Sequence, residues 1–543
     1  MCIRDSYYAN HLATHIVGQR PNIKKVFDAW SKGAPGNEGA FLSALEKNPE
    51  LRSVLLEETP WVMNAKDEGE RKRRLALFFD LHRMASEDAS ALKKLQDMQL
   101  PNGAWPWWSG MQPSRYITQH VVAGFGHLQQ LGAFDLDPDS DAQRMIAHAV
   151  EWLDNEADAA HDRMVRAHVN DSLPLPSSED IHYLYARSCL PQHKLKRGRF
   201  SAGGYIASRA QQHWIRYGMQ EQAMIAIALR RFGVEEVPQL ITTSLAQRAT
   251  MSDELGMYWK DFQGGFSWNE LPVETHALMI EAFEIVTHDK TRVDALRQYL
   301  LKLKQTTDWR TTKATADACY ALLLTGADWL EPKDAPVIKV GTVEVKADRQ
   351  EAGTGYFQRT WDGAEVMPAM GRVSVTTAVS GVQWGALHWQ YFEQMDKVKP
   401  HESPFNLRRQ VMLNEQTEAG PRLVALTGAR GLKPGDKITV RVELRTDRYL
   451  DFVHMKDLRA AGLEPLEALS GYRWKGGLGY YQSIRDAAMH FFFDRIAPGT
   501  YVFEYDLKVT HTGDFSDGVT SAQCMYALEY SSHSEGLRIV IGD

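Results

Sequence analysis

The 543-residue sequence has only four cysteines, no apolar run long enough to span a membrane and no excess of basic residues. Four cysteines in a chain of this length cannot form the disulfide framework of a small secreted protein. A membrane-spanning helix needs about 20 consecutive apolar residues, so none is predicted. The formal net charge of −7 argues weakly against a nucleic-acid-binding protein, because no stripe of lysine and arginine dominates any segment.

The sequence also lacks the short motifs of common catalytic centres. It contains no G-x-S-x-G nucleophile turn, no glycine-rich phosphate loop with lysine and no paired zinc cysteines. Cys189, Cys319 and Cys524 each lie inside apolar patterns and are predicted to be buried free thiols. No catalytic, cofactor-binding or metal-binding residue is therefore predicted, and no cofactor.

Two patterns resemble metal sites only in part. His11 and His15 share a helix face, but a zinc protease needs glutamate after the first histidine, where this sequence has leucine. The aspartate-rich segment 135–141 resembles a calcium loop, yet Ser140 takes the sixth position, which requires glycine. The segment is instead predicted to be a solvated loop that caps a helix starting at Ala142.

Length and periodicity predict a helical first part. A chain of this size forms about two to four domains, and its 44% apolar and 24% charged residues are typical of a soluble globular protein. From Tyr7 to about Leu330 the apolar residues recur at helical spacing. Three times a tryptophan-bearing turn precedes an apolar helix, with Trp107, Trp268 and Trp309 in the turns. Helix pairs repeated in this way predict a closed ring of α-hairpins, an α/α toroid.

Beyond Pro332 the pattern changes to the alternation that is typical of β-strands. Strands are predicted at 337–345, 372–379 and 384–392, followed by a linker over 397–404. A second β domain is predicted to run from there to residue 543. Its strands are predicted at 437–444, 502–509, 524–528 and 537–541, with a hairpin turn at Pro498 and Gly499.

The opening residues, 1–6, differ from the rest of the helical part. They neither continue the helical pattern that starts at Tyr7 nor resemble a signal peptide. We expect them to be a non-native leader at the edge of a truncated reading frame. A localisation signal is then expected to be missing from this sequence.

One loop, residues 99–105, matches the Q-x-x-D/N-G-x-W pattern that recurs in terpene-cyclase toroids. Gly103 permits a tight turn, Asn102 is expected to bond backbone groups, and Trp105 is expected to pack between helices. The role that these three residues predict for the loop is structural. The acidic D-x-D-D proton donor of the cyclases is missing, because Asp137 is followed by proline.

A sugar-binding cleft is an alternative for the tryptophan loop, because flat rings stack on sugar faces. The rings concerned are those of Trp105, Trp107 and Trp108. A glycosidase needs two facing carboxylates, and their positions cannot be obtained from spacing alone. Three carboxylates near another aromatic loop are candidates: Asp261, Glu270 and Glu274.

Several segments resemble bacterial alpha-2-macroglobulin-like proteins of the alpha-2-macroglobulin family. Residues 7–16, 101–107 and 113–118 are similar to successive segments of the thioester domain, and residues 449–460, 471–481 and 497–542 to the terminal macroglobulin domain. The resemblance implies a multidomain chain, helical first and β afterwards. Its implied parts are the leader 1–6, an α/α toroid of thioester type at 7–332, a partial CUB-like β segment at 333–398 and a receptor-binding-type macroglobulin β-sandwich at 399–543.

The covalent chemistry of that family uses a C-x-E-Q motif. Its cysteine and glutamine form an internal thioester, which reacts with a nucleophile on an attacking protease. None of the four cysteines of this sequence belongs to such a motif. In the relatives the motif lies just ahead of the helix that matches Tyr7, so we expect it to have been lost with upstream sequence.

The function that the resemblance implies is that of part of an endopeptidase inhibitor, a protease trap of the bacterial envelope, and not of an enzyme. Its partners would be proteases, through the full-length protein, and upstream macroglobulin domains of the same chain. The expected location is periplasmic or at the cell surface, with membrane anchoring left open. Two alternatives also stay open: a toroid enzyme acting on polysaccharide or isoprenoid substrates, and a carbohydrate- or protein-binding module that uses the tryptophan loops.

Overall fold

The structure, a computed structural model, describes most of the chain. The described residues are 2–19, 81–134, 140–168, 173–195, 198, 201–260, 272–307, 309, 311–324, 336–346, 357–377, 385–389, 391–418, 420–426, 431–525 and 527–542. They belong to two compact units. The first unit contains the described residues up to 302 together with 309–377, and the second contains 303–307 and the residues from 385 onward.

The first unit is mainly helical. Its helices are α1 Cys2–Gln19, α2 Leu81–Met98, α3 Arg115–Gln130, α4 Asp141–Ala167, α5 Ser178–Ser188, α6 Ala202–His213, α7 Met219–Arg231, α8 Glu236–Arg248, α9 Pro272–Thr287, α10 Lys290–Thr306 and α11 Thr312–Leu323. A hydroxyl group caps several of them: those of Ser114, Ser140, Ser177, Ser201 and Thr311 each accept a hydrogen bond from a backbone N–H of the first turn. Such caps satisfy N–H groups that have no partner within the helix.

The odd-numbered helices of the first unit contact one another in a closed order. Each of α1, α3, α5, α7, α9 and α11 packs against the next, and α11 packs against α1. The even-numbered helices α2, α4, α6 and α8 pack against members of this ring. In helix α7 the side chains of Ile225, Ile227 and Leu229 are buried, which makes it an inner helix of this unit.

Short strands interrupt the helical pattern in two places. A hairpin of β1 (Thr250–Ser252) and β2 (Gly256–Tyr258) lies within the stretch that was predicted to be helical throughout. Farther along, β3 (Val337–Val340), β4 (Val343–Val345) and β5 (Val373–Thr376) form an antiparallel sheet in the order β4-β3-β5.

The third predicted strand of this region is wrong. The described residues of 384–392 form no strand, although their sequence alternates. Leu387, Trp389 and Phe392 are exposed, so these apolar side chains have no covered sheet face to pack against. Apolar alternation predicts a strand only where one face becomes buried.

The second unit is a β structure of packed antiparallel sheets. Its strands are β6 Phe405–Thr417, β7 Gly420–Ala425, β8 Lys437–Thr446, β9 Leu450–Leu458, β10 Leu463–Pro465, β11 Gly471–Lys475, β12 Leu478–Ile484, β13 Ala488–Ile496, β14 Gly499–Val509, β15 Gly513–Asp517, β16 Thr520–Cys524, β17 Ala527–His533 and β18 Leu537–Ile541. One sheet has the order β10-β14-β8-β6-β7, the second has β11-β12-β13-β9-β16-β17, and β15 pairs with β18. Inward side chains of both large sheets form one core, including Val442, Met455, Phe491 and Phe503.

A buried ion cluster connects the two large sheets. The side chain of Arg409 on β6 is fully buried, and its Nε and Nη1 donate to Asp457 Oδ1 at 2.8 Å and to Asp517 Oδ2 at 2.5 Å. The hydroxyl groups of Tyr505 and Thr520 also donate to Asp457. Every strand that supplies one of these groups is thereby held against the others.

Several boundaries differ from the sequence predictions. The first helix begins at Cys2 and not at Tyr7. Residues 2–6 are therefore part of this helix, although the sequence pattern predicted that they lie outside it. Pro498 and Gly499 do not form a hairpin turn, because β13 and β14 belong to different sheets and the chain crosses between them there. Residues 524–528, predicted as one strand, are divided between the end of β16 at Cys524 and the start of β17 at Ala527, and these two residues pair with each other.

The other long alternating runs were predicted correctly. Residues 437–444, 502–509 and 537–541 lie in β8, β14 and β18. In β14 the buried side chains are those of Phe503, Tyr505, Leu507 and Val509, as period-two alternation requires. The domain boundaries at 332/333 and 398/399 stay a prediction.

Candidate functional site

The ring of odd-numbered helices surrounds a cavity of about 320 Å³. Every helix of the ring contributes to its wall at helical spacing, as α3 does with Tyr116, His120 and His127. The lining residues that carry polar groups are Tyr8, Tyr116, His120, His127, Ser178, Glu179, His182, Tyr185, Gln220, Glu221, Glu274, Glu281, Lys313, Asp317 and Tyr320. The described part of the first unit therefore has a polar interior pocket at its centre.

One end of the cavity is formed by the first turns of five helices. Ser178 and Glu179 begin α5 and are exposed, so the cavity opens at this end. Glu179, Glu221 and Glu274 lie in the first turns of α5, α7 and α9. Acidic side chains are favourable there, because the N-terminus of a helix carries a partial positive charge.

The opposite end is closed by a hydrogen-bond network around His127. Burial lowers the pKa of His127 to about 3, so the ring is neutral. Its Nδ1 lies 3.0 Å from the Tyr8 hydroxyl and its Nε2 lies 2.7 Å from the Tyr185 hydroxyl. The Tyr185 hydroxyl donates to Glu281 Oε2 at 2.7 Å, so it accepts the Nε2 proton of His127, and Nδ1 accepts from Tyr8.

Glu281 is the acceptor at which this network ends. Its Oε1 accepts from Arg231 at 2.7 Å and from the Tyr320 hydroxyl at 2.9 Å. The Tyr320 ring also stacks on His127, with centroids 3.9 Å apart. The side chain of Glu281 is 2% exposed, and its charge is balanced by Arg231. Because all donors and acceptors here are matched, this closed end has a structural role.

The open half of the cavity is different, because Glu274 has no well-placed donor. Glu274 is 1% exposed, and neither of its carboxylate oxygens has a hydrogen-bond partner of normal geometry. Burial raises the pKa of this carboxyl group, although nearby Lys313 and the Thr311 hydroxyl lower it in part. Lys313 Nζ itself lies 2.8 Å from Asp317 Oδ2. The Nδ1 atom of His182 is also buried without a partner, and burial lowers the pKa of His182 to about 3.

A series of stacked rings leads from the tryptophan loop into the cavity. Trp107 stacks on Tyr116 at 5.9 Å between centroids, Tyr116 stacks on His120 at 6.4 Å, and His182 lies 5.2 Å from Tyr116. Trp108, next to Trp107, is 61% exposed. This connection between the loop and the cavity was not visible in the sequence.

The structural role predicted for the 99–105 loop is confirmed. Trp105 is fully buried and its Nε1 donates to the Leu95 carbonyl at 2.9 Å. Asn102 Oδ1 accepts from the backbone N–H of residue 104 at 3.1 Å. Gly103 has φ of +92°, and a Cβ atom there would lie 2.4 Å from the carbonyl oxygen of His148. Trp105 is thus unable to stack on a sugar, unlike the more accessible rings beside it.

The remaining candidates from the sequence lie in several separate places. His11 Nε2 lies 2.9 Å from the Ala133 carbonyl oxygen and its Nδ1 3.1 Å from Asp88, so both ring nitrogens have protein neighbours. A helix starts at the end of the aspartate-rich segment, but at Asp141 and not at Ala142, and Ser140 is its N-cap. Residues 135–139, Asp261 and Glu270 lie outside the described residues. Within the described ranges no group of three histidine, cysteine or acidic side chains has an arrangement that could hold a metal ion.

The thiols inside both units are shielded. Cys189 is 5% exposed and Cys524 is fully buried, as predicted, whereas Cys319 is only partly buried by its neighbours. Burial raises the pKa of Cys189 and of Cys319 to about 11. The helices that the structure describes are all too short or too polar to cross a membrane.

Comparisons with known proteins give a consistent result. Residues 405–529, from the first residue of β6 into β17, match the family model described as "Bacterial Alpha-2-macroglobulin MG10 domain". An alpha-2-macroglobulin homolog of Nostoc sp. is 25% identical over 298 residues, which are 51% of this chain and 15% of that protein.

Solved structures of Escherichia coli alpha-2-macroglobulin are also similar. The trypsin-activated form is 12% identical with a TM-score of 0.42, over 85% of this chain and 30% of that one. The native form from domain MG7 to the C-terminus is 13% identical with a TM-score of 0.33, over 92% of this chain and 71% of that one. The chain thus covers less than a third of the curated relative and of the trypsin-activated structure.

Proposed function

We propose that the chain belongs to the alpha-2-macroglobulin family and is part of an endopeptidase inhibitor that traps proteases. The observation that carries the proposal is the match of residues 405–529 to a bacterial macroglobulin domain. That range begins at the first strand of the second unit and covers most of its two large sheets.

We further propose that the helical ring is an α/α toroid of thioester-domain type. Support comes from the closed order of helix contacts and from the alternation of ring and flanking helices along the chain. In this assignment β3, β4 and β5 belong to a partial CUB-like segment, and residues 399–543 form the receptor-binding-type domain. The ring then acts as a rigid scaffold in the inhibitor, with its matched network around Glu281 keeping the helices in place.

The chain acts without enzymatic chemistry in this proposal. The polar groups at the closed end of the cavity are all used in mutual hydrogen bonds, and the buried thiols are held in the unreactive protonated form. A covalent step with a protease would require a C-x-E-Q motif, which the 543 residues do not contain. The proposed location is the bacterial envelope, where proteases from outside would be met.

The test uses protein expressed together with its native upstream sequence and incubated with trypsin. A trap encloses the protease, so trypsin should keep its activity on a small peptide substrate while losing activity on a large protein substrate. Protein heated beforehand beyond its unfolding transition is the control and should give no protection. Equal loss of activity on both substrates, or on neither, would rule out a trap.

A further inference from the structure

The unmatched groups in the open half of the cavity are not explained by the proposed scaffold role. Burying a carboxylate without a hydrogen-bond donor is unfavourable, and buried polar groups in folded proteins are nearly always paired. Glu274 is nonetheless 1% exposed and unpaired, and it lines the cavity. The Nδ1 atom of His182 is unpaired on the same wall. Both observations indicate that a ligand supplies the missing partners.

The charge around Glu274 limits what this ligand can be. Lys313 pairs with Asp317 at 2.8 Å, and both line the cavity with Glu274. A cation placed against Glu274 would be repelled by Lys313, and an anion placed against Lys313 would be repelled by both carboxylates. A neutral ligand that both donates and accepts hydrogen bonds satisfies these groups without such repulsion.

The shape of the site adds a second limit. The rings of Tyr116, His120 and His182 give the open half flat apolar surfaces beside its hydrogen-bonding groups. The volume of about 320 Å³ is at the lower end of the range for ligand pockets, roughly 300–1,000 Å³. It has room for about ten water molecules, and so for one ring-sized solute and not for a chain of several.

We propose that the cavity of the helical ring binds a single neutral sugar residue through Glu274, Lys313 and the rings of Tyr116 and His182. Hydroxyl groups of the sugar donate to the Glu274 carboxylate and accept from Lys313, while its C–H faces lie along the aromatic rings. This goes beyond protease trapping, which requires no small ligand. It also differs from a glycosidase, because binding needs no second, facing carboxylate.

The experiment titrates the full chain with glucose, galactose, mannose and N-acetylglucosamine, followed by saturation-transfer NMR and calorimetry. Putrescine and acetate serve as a cationic and an anionic probe. We expect saturable binding of at least one sugar, weakened roughly tenfold by Glu274→Gln, because hydrogen bonds to a charged group are lost. His182→Phe, which keeps a ring but removes its nitrogens, should weaken the same sugar severalfold.

Glu151→Gln is the matched control, because it removes the same charge from an exposed position on α4 that does not line the cavity. The affinity of this control variant for the sugar should stay within about twofold of that of the wild-type chain. Absence of saturation by every neutral sugar would overturn the proposal, as would equal effects of the two glutamine variants. Saturation by putrescine alone would replace it with an amine site. None of these outcomes depends on the trypsin assay, so the two proposals fail separately.

Discussion

At the scale of single residues, Arg409 is expected to have a large influence on stability. It is fully buried with two carboxylates, Asp457 and Asp517, and the first of these also accepts from Tyr505 and Thr520. Burial raises the pKa of Asp517, while the Arg409 guanidinium opposes this shift. Removing the arginine would leave both carboxylates buried without their cation.

Arg409→Met is therefore expected to destabilise the second unit by about 3–5 kcal/mol. Arg441→Met is the matched control, since Arg441 pairs with Glu504 in the same sheet but its side chain is 39% exposed. Arg441→Met should destabilise the second unit by at most about 1 kcal/mol. The urea dependence of hydrogen exchange in β8 and β14 measures how far each of the two variants destabilises the second unit. Similar costs for the two variants would contradict the assigned role of the cluster.

Glu274 allows a pH-dependent prediction. Burial raises its pKa in the folded protein, so the folded state binds a proton more tightly than the unfolded state does. Its unfavourable contribution is full above the folded pKa and disappears as pH falls toward the unfolded pKa. Glu274→Gln should thus stabilise the first unit at neutral pH, by about 1–3 kcal/mol, and less at acid pH.

Thermal unfolding of the wild-type chain and of Glu274→Gln across pH 4–8 measures the difference in their stability. Other titrating groups contribute little to this difference. Glu179→Gln, at an exposed position, should show no such trend. A stabilisation that is constant with pH would contradict the raised pKa of Glu274, and a destabilised variant at neutral pH would show that Glu274 has a partner in solution.

At the scale of elements, the periodicity of the sequence correctly predicted the strands that have one buried face. Strands β8, β14 and β18 were found because each has one buried face. The cavity wall could not be predicted, because the side chains of Tyr116, Glu274 and Lys313 come from helices far apart in sequence. The wrong strand at 384–392 and the wrong hairpin at Pro498 fail for a related reason. Local alternation does not tell whether a sheet partner exists or which sheet the chain enters next.

The small sheet of β3, β4 and β5 should be the least protected strand region. All of β5 is exposed, with Val375 at 60%, and each outer strand leaves an edge unpaired within the described residues. By contrast Ile438, Val440 and Val442 of β8 are fully buried. Amide exchange measured by mass spectrometry should be at least about a hundredfold faster in β3–β5 than in β8. Equal protection would favour a self-contained sheet that is covered by another part of the protein.

At the scale of the whole molecule, family membership and covalent capacity are separate questions. The proposed family assignment rests on the match of residues 405–529 and on the similarity to the relative from Nostoc sp.. Covalent capture rests on a motif of a few residues, and no fold-level similarity can supply it. Its absence from these 543 residues makes the behaviour of the isolated chain predictable from chemistry alone.

The isolated chain should be covalently inert toward amines and proteases. Aminolysis needs a stored acyl group, and without cysteine and glutamine at thioester spacing there is none. Direct attack by the thiols is also blocked, because a pKa of about 11 at Cys189 and Cys319 leaves roughly one thiolate in ten thousand at pH 7. Intact mass should stay unchanged with methylamine, and trypsin should acquire no covalent adduct. A Cys2→Ser background removes the remaining thiol, and a thiol reagent in urea should then label three cysteines, which verifies that they are free. An adduct formed by the folded chain would reveal a reactive centre, whereas amine reactivity that appears only with the native upstream sequence would place the thioester before Tyr7.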